Sequence, residues 1–264
     1  MPCQPLPCGS ASWTRIGSGS NAVFLHGLLG CGAQWRPAAE ALAARFSCWL
    51  FELPGISGSR ADDMSLPGLA RWLKQAVAVL GIERPALVGS SWGGAVALQY
   101  ATGEPVSGLI LAAPVHPFWK PSPRQRCMLT PLGARAGAWL GARVGPSVHR
   151  ALLGRLYGDV GKMRESSVEE YGAVFRQSGL GAAVGRYARH LRRDLAVLGS
   201  QLDRIVAPSL LLWGDRDCVV PASTAPALHA ALPASRLGIL RGIGHLPHAE
   251  DPAEFADRVE RFLQ

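Results

Sequence analysis

Three residues far apart in the chain, Ser91, Asp217 and His245, are of the types that together make a serine nucleophile. A serine hydroxyl is a weak nucleophile until a histidine takes its proton, and that histidine needs a carboxylate to fix its tautomer and steady its positive charge. Ser91 stands in Gly89-Ser90-Ser91-Trp92-Gly93. This is the form G-x-S-x-G, in which a sharp strand-to-helix turn strains the backbone of the middle serine and exposes its oxygen. A side chain at Gly89 or Gly93 would collide where strand and helix approach closely. In a chain with 31 glycines such a pattern also arises by chance, so its flanks matter. Ala86-Leu87-Val88 reads as a buried strand before it, and Trp92 to Tyr100 as a helix after it. That helix points unpaired N–H groups and a positive dipole end at whatever Ser91 attacks.

The order serine, acid, histidine is the one this turn calls for, and Ser91, Asp217 and His245 each follow a strand, where ligands collect in open α/β sheets. Asp215 competes with Asp217. It comes directly after Trp213-Gly214, where the chain is still turning, so its expected role is to bond loop N–H groups. His248 competes with His245, but Gly242 and Gly244 allow His245 a tight, exposed loop position, and His248 reads as the approach to the last helix. The run His26-Gly27-Leu28-Leu29-Gly30 has the small residues that let backbone N–H groups face a developing oxyanion. One donor is assigned to the Leu28 N–H and the second to the Trp92 N–H. His26 is expected to brace this loop, and His26, Gly27, His116, Phe118 and Trp119 are the candidate substrate-contact residues.

The elements that must position these groups alternate. Residues Met1 to Ser10, rich in Pro and Cys, read as poorly ordered. Strands are expected at Ser12 to Ile16, Ala22 to Leu25, Ser47 to Phe51, Ala86 to Val88, Val106 to Ala112, Ser209 to Trp213 and Arg236 to Leu240. Helices are expected at Ala33 to Arg45, Leu66 to Leu80, Trp92 to Tyr100, Ala222 to Leu232 and Pro252 to Leu263. Strands and helices at this spacing imply a parallel sheet covered on both faces.

The rhythm breaks at Pro114. Too much proline follows for a regular element, and from there to Ser200 the pattern gives helical fragments at Met128 to Gly145, Val148 to Tyr157, Ser167 to Gln177 and Ala182 to Leu198. The expected organisation is therefore an α/β core in two parts, 1–117 and 201–264, with a helical cap inserted at 118–200. The net charge of +8 is concentrated there: Phe118 to Ser200 holds 14 Lys and Arg against 5 Asp and Glu. Such a balance suggests an anionic substrate or an acidic acyl carrier, or else simple compositional bias, since only three of the 27 basic residues are lysine. No aromatic-interleaved or zinc pattern accompanies it, so nucleic acid is not an expected partner.

At 264 residues and 48% hydrophobic composition the chain is sized for one large α/β domain. No apolar run of 18 residues is present, so no membrane span is expected. Met1-Pro2-Cys3-Gln4-Pro5 has neither the basic segment nor the apolar core of a secretory signal, and a cytoplasmic location is the default expectation. The six cysteines lack metal-ligand spacing and read as reduced packing residues, Cys218 beside Asp217 being the one to watch for labelling.

Taken together, His26-Gly27-Leu28-Leu29-Gly30, Leu53-Pro54-Gly55, Gly89-Ser90-Ser91-Trp92-Gly93, Gly214-Asp215-Arg216-Asp217 and Gly244-His245 resemble the motifs of the α/β-hydrolase fold family over most of the chain. The resemblance implies a mostly parallel central sheet flanked by helices, with Ser91 as nucleophile, Asp217 as acid, His245 as base, and Leu28 and Trp92 as oxyanion donors. Glu52 and Ile56 depart from it, standing where many relatives show Asp and His or Phe, while Ser57-Gly58-Ser59 suits the same turn. The stretch before Ala22 is short for the usual opening hairpin, so an edge strand is expected to be missing. A serine at 91 sets the chain apart from haloalkane dehalogenases and epoxide hydrolases, which are similar in fold but use aspartate there. The expected activity is hydrolysis of a carboxylic ester or related acyl substrate through an acyl-enzyme, with no metal or organic cofactor. Alternatives are a carrier- or CoA-linked acyl esterase or thioesterase, a C–C bond hydrolase, an acyltransferase, or a ligand-binding receptor on the same scaffold. Trp92 is also similar to proline iminopeptidases, for which Glu165, Glu169 and Glu170 could bind a substrate amine, though on a helix they read more simply as a solvated face.

Overall fold

In the computed structural model, which describes residues 2–56 and 58–264, the chain opens with a hairpin of β1 (Cys3–Leu6) and β2 (Gly9–Ile16). There follow β3 (Ser20–Leu25), α1 (Arg36–Leu42), β4 (Phe46–Phe51), the two-residue β5 (Arg60–Ala61), α2 (Leu66–Val79), β6 (Ala86–Ser90), α3 (Ser91–Ala101) and β7 (Gly108–Ala112). Five helices come next: α4 (Pro123–Met128), α5 (Pro131–Gly141), α6 (Pro146–Gly154), α7 (Glu165–Phe175) and α8 (Leu180–Gly199). The chain ends with β8 (Ser209–Gly214), α9 (Ala225–Ala231), β9 (Ser235–Leu240), α10 (Pro247–Glu250) and α11 (Pro252–Leu263). Ser57, within the expected Ser57-Gly58-Ser59 turn, and Met1 lie outside the described residues.

The strands form one sheet in the order β1-β2-β4-β3-β6-β7-β8-β9, with β5 paired to β2. From β4 to β9 every pairing is parallel; β2 joins β4, and β1 and β5 join β2, antiparallel. Parallel strands buried on both sides read as continuous apolar runs, and successive side chains go to opposite faces. Phe24, Val88, Ile110 and Leu212 pack beneath α1 and α11, on Trp35, Ala39, Phe255 and Val259. Their neighbours Val23, Leu87, Leu111 and Leu211 face the other way, onto Leu69, Trp72 and Leu73 of α2 and Leu228 of α9. α2 is fixed at its start by two carboxyl or hydroxyl acceptors: Ser65 Oγ takes the Gly68 N–H and Asp194 Oδ2 of α8 takes the Leu66 N–H. A third cluster, including Ile56, Tyr171, Phe175, Val184 and Leu246, joins the inserted helices to the sheet edge.

The expectation of a poorly ordered start is overturned: β1 and β2 place residues 3–16 in the sheet, so the opening hairpin is present and no edge strand is missing. Pro5 is tolerated because β1 lies at the sheet edge, where a missing N–H leaves no ladder bond unmade. Ala11 and Trp13 turn inward from β2, and the Trp72 indole N–H donates to Ser10 O, which ties the hairpin to α2. Three of the expected helices are each broken in two, Ala222 to Leu232 among them, into a 3-10 turn (Ala222–Thr224) and α9. Ala33 to Arg45 divides into a 3-10 turn (Gly32–Trp35) and α1, and Met128 to Gly145 spans the end of α4 and all of α5. In the last case Thr130-Pro131 starts a new helix: the Thr130 hydroxyl accepts from the Gly133 N–H and proline occupies the first turn, where its lost donor costs nothing.

Candidate active site

Ser91 begins α3 directly after β6, with φ of 50°, a left-handed value that an L-residue avoids unless its surroundings hold it there. What holds it is close packing at two glycines. A Cβ on Gly89 would lie 2.6 Å from Gly93 O, and one on Gly93 would lie 2.3 Å from Leu25 O. Strand and helix therefore approach so closely that the serine between them is thrust out at the sheet's carboxyl edge. Val115 N–H donates to Ser91 O at 2.8 Å, anchoring the turn from the β7 side.

The loop after β3 lies against this serine. A Cβ on Gly27 would sit 3.0 Å from Ser91 Cβ and 3.7 Å from its Oγ, so the space over the hydroxyl is open only because residue 27 has no side chain. The loop is a tight turn, with Gly30 N–H donating to Gly27 O and Leu29 at φ 62°. His26 accepts the Leu53 N–H at Nε2, 2.9 Å, so its proton is on Nδ1, which donates to Gly27 O at 2.8 Å. Both ring nitrogens are bonded to the backbone and the ring is fully buried, the arrangement of a loop brace. Glu52, the departure from the family pattern, accepts the Gly32 N–H at 3.0 Å and so fixes the far side of the same loop.

Beyond β8 and β9 the acid and the imidazole meet. His245 Nδ1 stands 2.8 Å from Asp217 Oδ2. A carboxylate only accepts, so the proton is on Nδ1 and Nε2 carries the free lone pair. The other oxygen of Asp217 takes the Val219 and Val220 N–H groups at 2.7 and 3.0 Å, which leaves this buried carboxylate no freedom to turn. Asp215 is exposed and accepts the Gly242 N–H. Gly214 lets the two loops touch, since a Cβ there would lie 2.1 Å from Ile243 O. His248 is buried in α10 and stacked on Trp35 with centroids 3.9 Å apart. Burial, with the charge that neighbouring His245 and His26 would add, pushes it down to about 3.

The remaining candidates sit where the inserted helices begin. Thr224 spends its hydroxyl proton on Pro221 O, so His116 Nε2–H donates to Thr224 Oγ1 at 2.9 Å; burial pushes this imidazole down to about 4. The Trp119 indole N–H donates to Val219 O at 3.1 Å, while Phe118 is exposed beside the His116 ring. Trp92 is buried against Tyr187 of α8, whose hydroxyl donates to Pro54 O. Glu165 and Glu169 are exposed; Glu170 is half-buried and raised chiefly by that burial.

One residue outside the sequence-derived set holds the histidine loop. The buried carboxylate of Glu250 accepts three backbone N–H groups: Gly158 at 3.0 Å, Asp159 at 2.7 Å and Gly244 at 2.8 Å. Beside it, His245 N–H donates to Leu156 O at 2.7 Å, and Arg216 reaches Gly158 O. The turn after α6 is thus bolted to the backbone of the imidazole. The signal available was an acid directly before Asp251, which already caps the helix and so leaves Glu250 without that role.

Comparison with known proteins identifies the fold family. The family model for the alpha/beta hydrolase fold matches residues 23–252. An uncharacterized protein of Mycobacterium tuberculosis is 31% identical, the match covering 94% of this chain and 76% of that protein. A pimeloyl-[acyl-carrier protein] methyl ester esterase of Aeromonas hydrophila is 29% identical over 96% of this chain and 99% of its own. Among solved structures, an esterase from Exiguobacterium antarcticum superposes with a TM-score of 0.81 at 20% identity, covering 98% of each chain. On the match to the family model over residues 23–252, this chain belongs to the alpha/beta hydrolase fold family.

Proposed function

We propose that the protein is a serine hydrolase that cleaves a carboxylic ester through an acyl-enzyme on Ser91, with residues 118–200 as its cap. The observation that carries this reading is the 2.8 Å bond between His245 Nδ1 and Asp217 Oδ2, which leaves Nε2 as the basic nitrogen, in a chain whose serine is held at φ 50° beneath Gly27. Nε2 takes the Ser91 proton as Oγ attacks the acyl carbon, and the imidazolium gains from the Asp217 charge. The carbonyl oxygen, now an anion, is held by the N–H of Trp92, in the unpaired first turn of α3, and by that of Leu28. His245 then protonates the departing alcohol, and a water deprotonated by the same Nε2 releases the acid and restores Ser91.

The substrate itself is a small acyl compound of unfixed length. A carrier-linked or otherwise anionic ester is favoured by the excess of nine positive charges over residues 118–200 and by the carrier-dependent esterase among the relatives. For that narrower reading, kcat/KM on an anionic ester falls as salt rises and kcat/KM on a neutral one does not. The central test is Ser91→Ala with a p-nitrophenyl ester and a fluorophosphonate probe. The substitution is expected to abolish labelling and to lower kcat by roughly 10⁴-fold or more; full retention of hydrolysis would overturn the mechanism.

A further inference from the structure

Between Phe118 and Gly158 the chain carries seven Lys and Arg, all of them exposed, and no Asp or Glu. The same 41 residues hold six of the eleven large apolar side chains that stand exposed among the described residues. The two features meet on α5. Leu132, Arg135, Ala136, Trp139 and Leu140 recur at three- and four-residue spacing and so share one face, which Arg143 extends just past the helix end. That face is the solvent face: Leu132 is 79% exposed, Trp139 59% and Leu140 57%, with Met128 of α4 nearby in sequence at 51%. The inward face is made of small residues instead. Ala134 and Gly141 are buried, Gly181 of α8 lies under Ala134 and Arg135, and a Cβ on Gly141 would lie 2.1 Å from the Phe175 ring.

A surface helix of a soluble domain buries its bulky apolar residues and shows its small and polar ones. α5 does the reverse: its close packing on α7 and α8 requires small residues inside, but does not require large apolar ones outside. Large apolar tips interleaved with arginines are what an interfacial helix presents to lipid. The Arg143 guanidinium stacks 4.1 Å from the Trp139 ring centroid and donates to Trp139 O at 3.1 Å, so the indole and the charge are held side by side. We propose that this face of the inserted helices docks on an anionic lipid surface, with Leu132, Trp139 and Leu140 entering the headgroup–acyl boundary and Arg135 and Arg143 meeting lipid phosphates. Charge decides among occupants: a second copy would bring the same acid-free, basic face and be repelled. The exposed Leu132, Trp139 and Leu140 also suit an acyl layer, whereas an acidic protein would call on the arginines alone. The docking is peripheral, since among the described residues no helix is long and apolar enough to cross a membrane. It stands apart from the chemistry at Ser91 and is read by binding alone.

The test is flotation of the full chain with phosphatidylcholine vesicles, with and without phosphatidylglycerol, followed by titration with indole fluorescence as readout. Binding is expected to vesicles containing phosphatidylglycerol, with a blue shift that Trp139→Phe removes. Leu132→Asn and Leu140→Asn should each weaken partitioning on the order of tenfold, and Arg135→Gln and Arg143→Gln by roughly fivefold each. All four positions are at the surface, so unchanged circular dichroism and Tm establish that the variants are folded. Equal binding to both vesicle types would overturn the proposal. So would binding that salt abolishes but Leu132→Asn and Leu140→Asn leave intact, the behaviour of a charged face made for an acidic protein. Absence of flotation, with a dimer mass that the same leucine substitutions dissolve, would overturn it in favour of self-association.

Discussion

α11 and α5 are helices of similar length that face in opposite senses. In α11 the bulky residues, Phe255 and Val259, press on the sheet and the charged ones face water. In α5 the bulk faces water and Ala134 and Gly141 make the contact. The difference teaches that an apolar stripe specifies a face and not what covers it. Against a sheet, the wide groove between helix and strands admits large side chains. Against α8, where the backbones approach at Gly181, only small ones fit and the large ones are left outside. Buried carboxylates follow the same division. Asp217, in a loop of the α/β core, is aimed at an imidazole, whereas Asp194, in α8, is aimed at the backbone N–H that starts α2.

The largest expected effect separates those two carboxylates. Asp217→Asn should lower kcat by about 10³- to 10⁴-fold with Tm little changed, because the amide cannot hold the proton on Nδ1 in the same way. Asp194→Asn should leave kcat within about twofold and cost about 1 kcal/mol in denaturant unfolding, as loss of a helix-start acceptor does. The reverse pattern would break the contrast between a chemical core and a structural insertion. Next in size is packing: Leu73→Ala in α2 should cost about 2–5 kcal/mol, while Leu132→Ala in α5 should fall within about 0.5 kcal/mol. A large loss at Leu132 would mean that its face is covered after all.

A further effect is in pH. His248, held down to about 3, and His116, held down to about 4, are neutral in the fold but take a proton in the unfolded chain below about 6.5. The unfolded state therefore binds more protons as pH falls, and stability is lost from about pH 6.5 downwards until each folded-state value is passed. His248→Phe keeps a ring against Trp35 and removes one titration. It should flatten the acid side of the stability curve by up to about 1.4 kcal/mol per pH unit. Equal slopes in the variant and the parent would show that His248 is not held neutral.

How much of this was legible in the sequence depended on range. The turn around Ser91 was readable because its determinants, Gly89 and Gly93, lie within two residues of it and act through local backbone clash. The parallel strands were readable because burial on both faces writes them as unbroken apolar runs. β1 was not, because an edge strand needs little apolar content and the prolines and cysteines of residues 2–8 mask it. The break at Thr130-Pro131 has a local signature, but the apolar period runs through it from Met128 to Gly145, so periodicity alone reads one helix. The preference for Asp217 over Asp215 rested on a two-residue difference in loop position, and the bond to His245 is the geometry that distinguishes them.

By itself, then, the sequence determined the alternation of elements, the local strain at Ser91 and the residue types brought to the strand ends. These follow from side-chain period and backbone sterics, which act between near neighbours. Only the tertiary structure decided that Glu250 ties the Gly158 turn to the backbone beside His245 and that α5 turns its leucines and tryptophan outward. The reason is that a hydrogen bond spanning 92 positions, or the closeness of two helices at one glycine, depends on where distant segments pack and leaves no periodic mark on either of them.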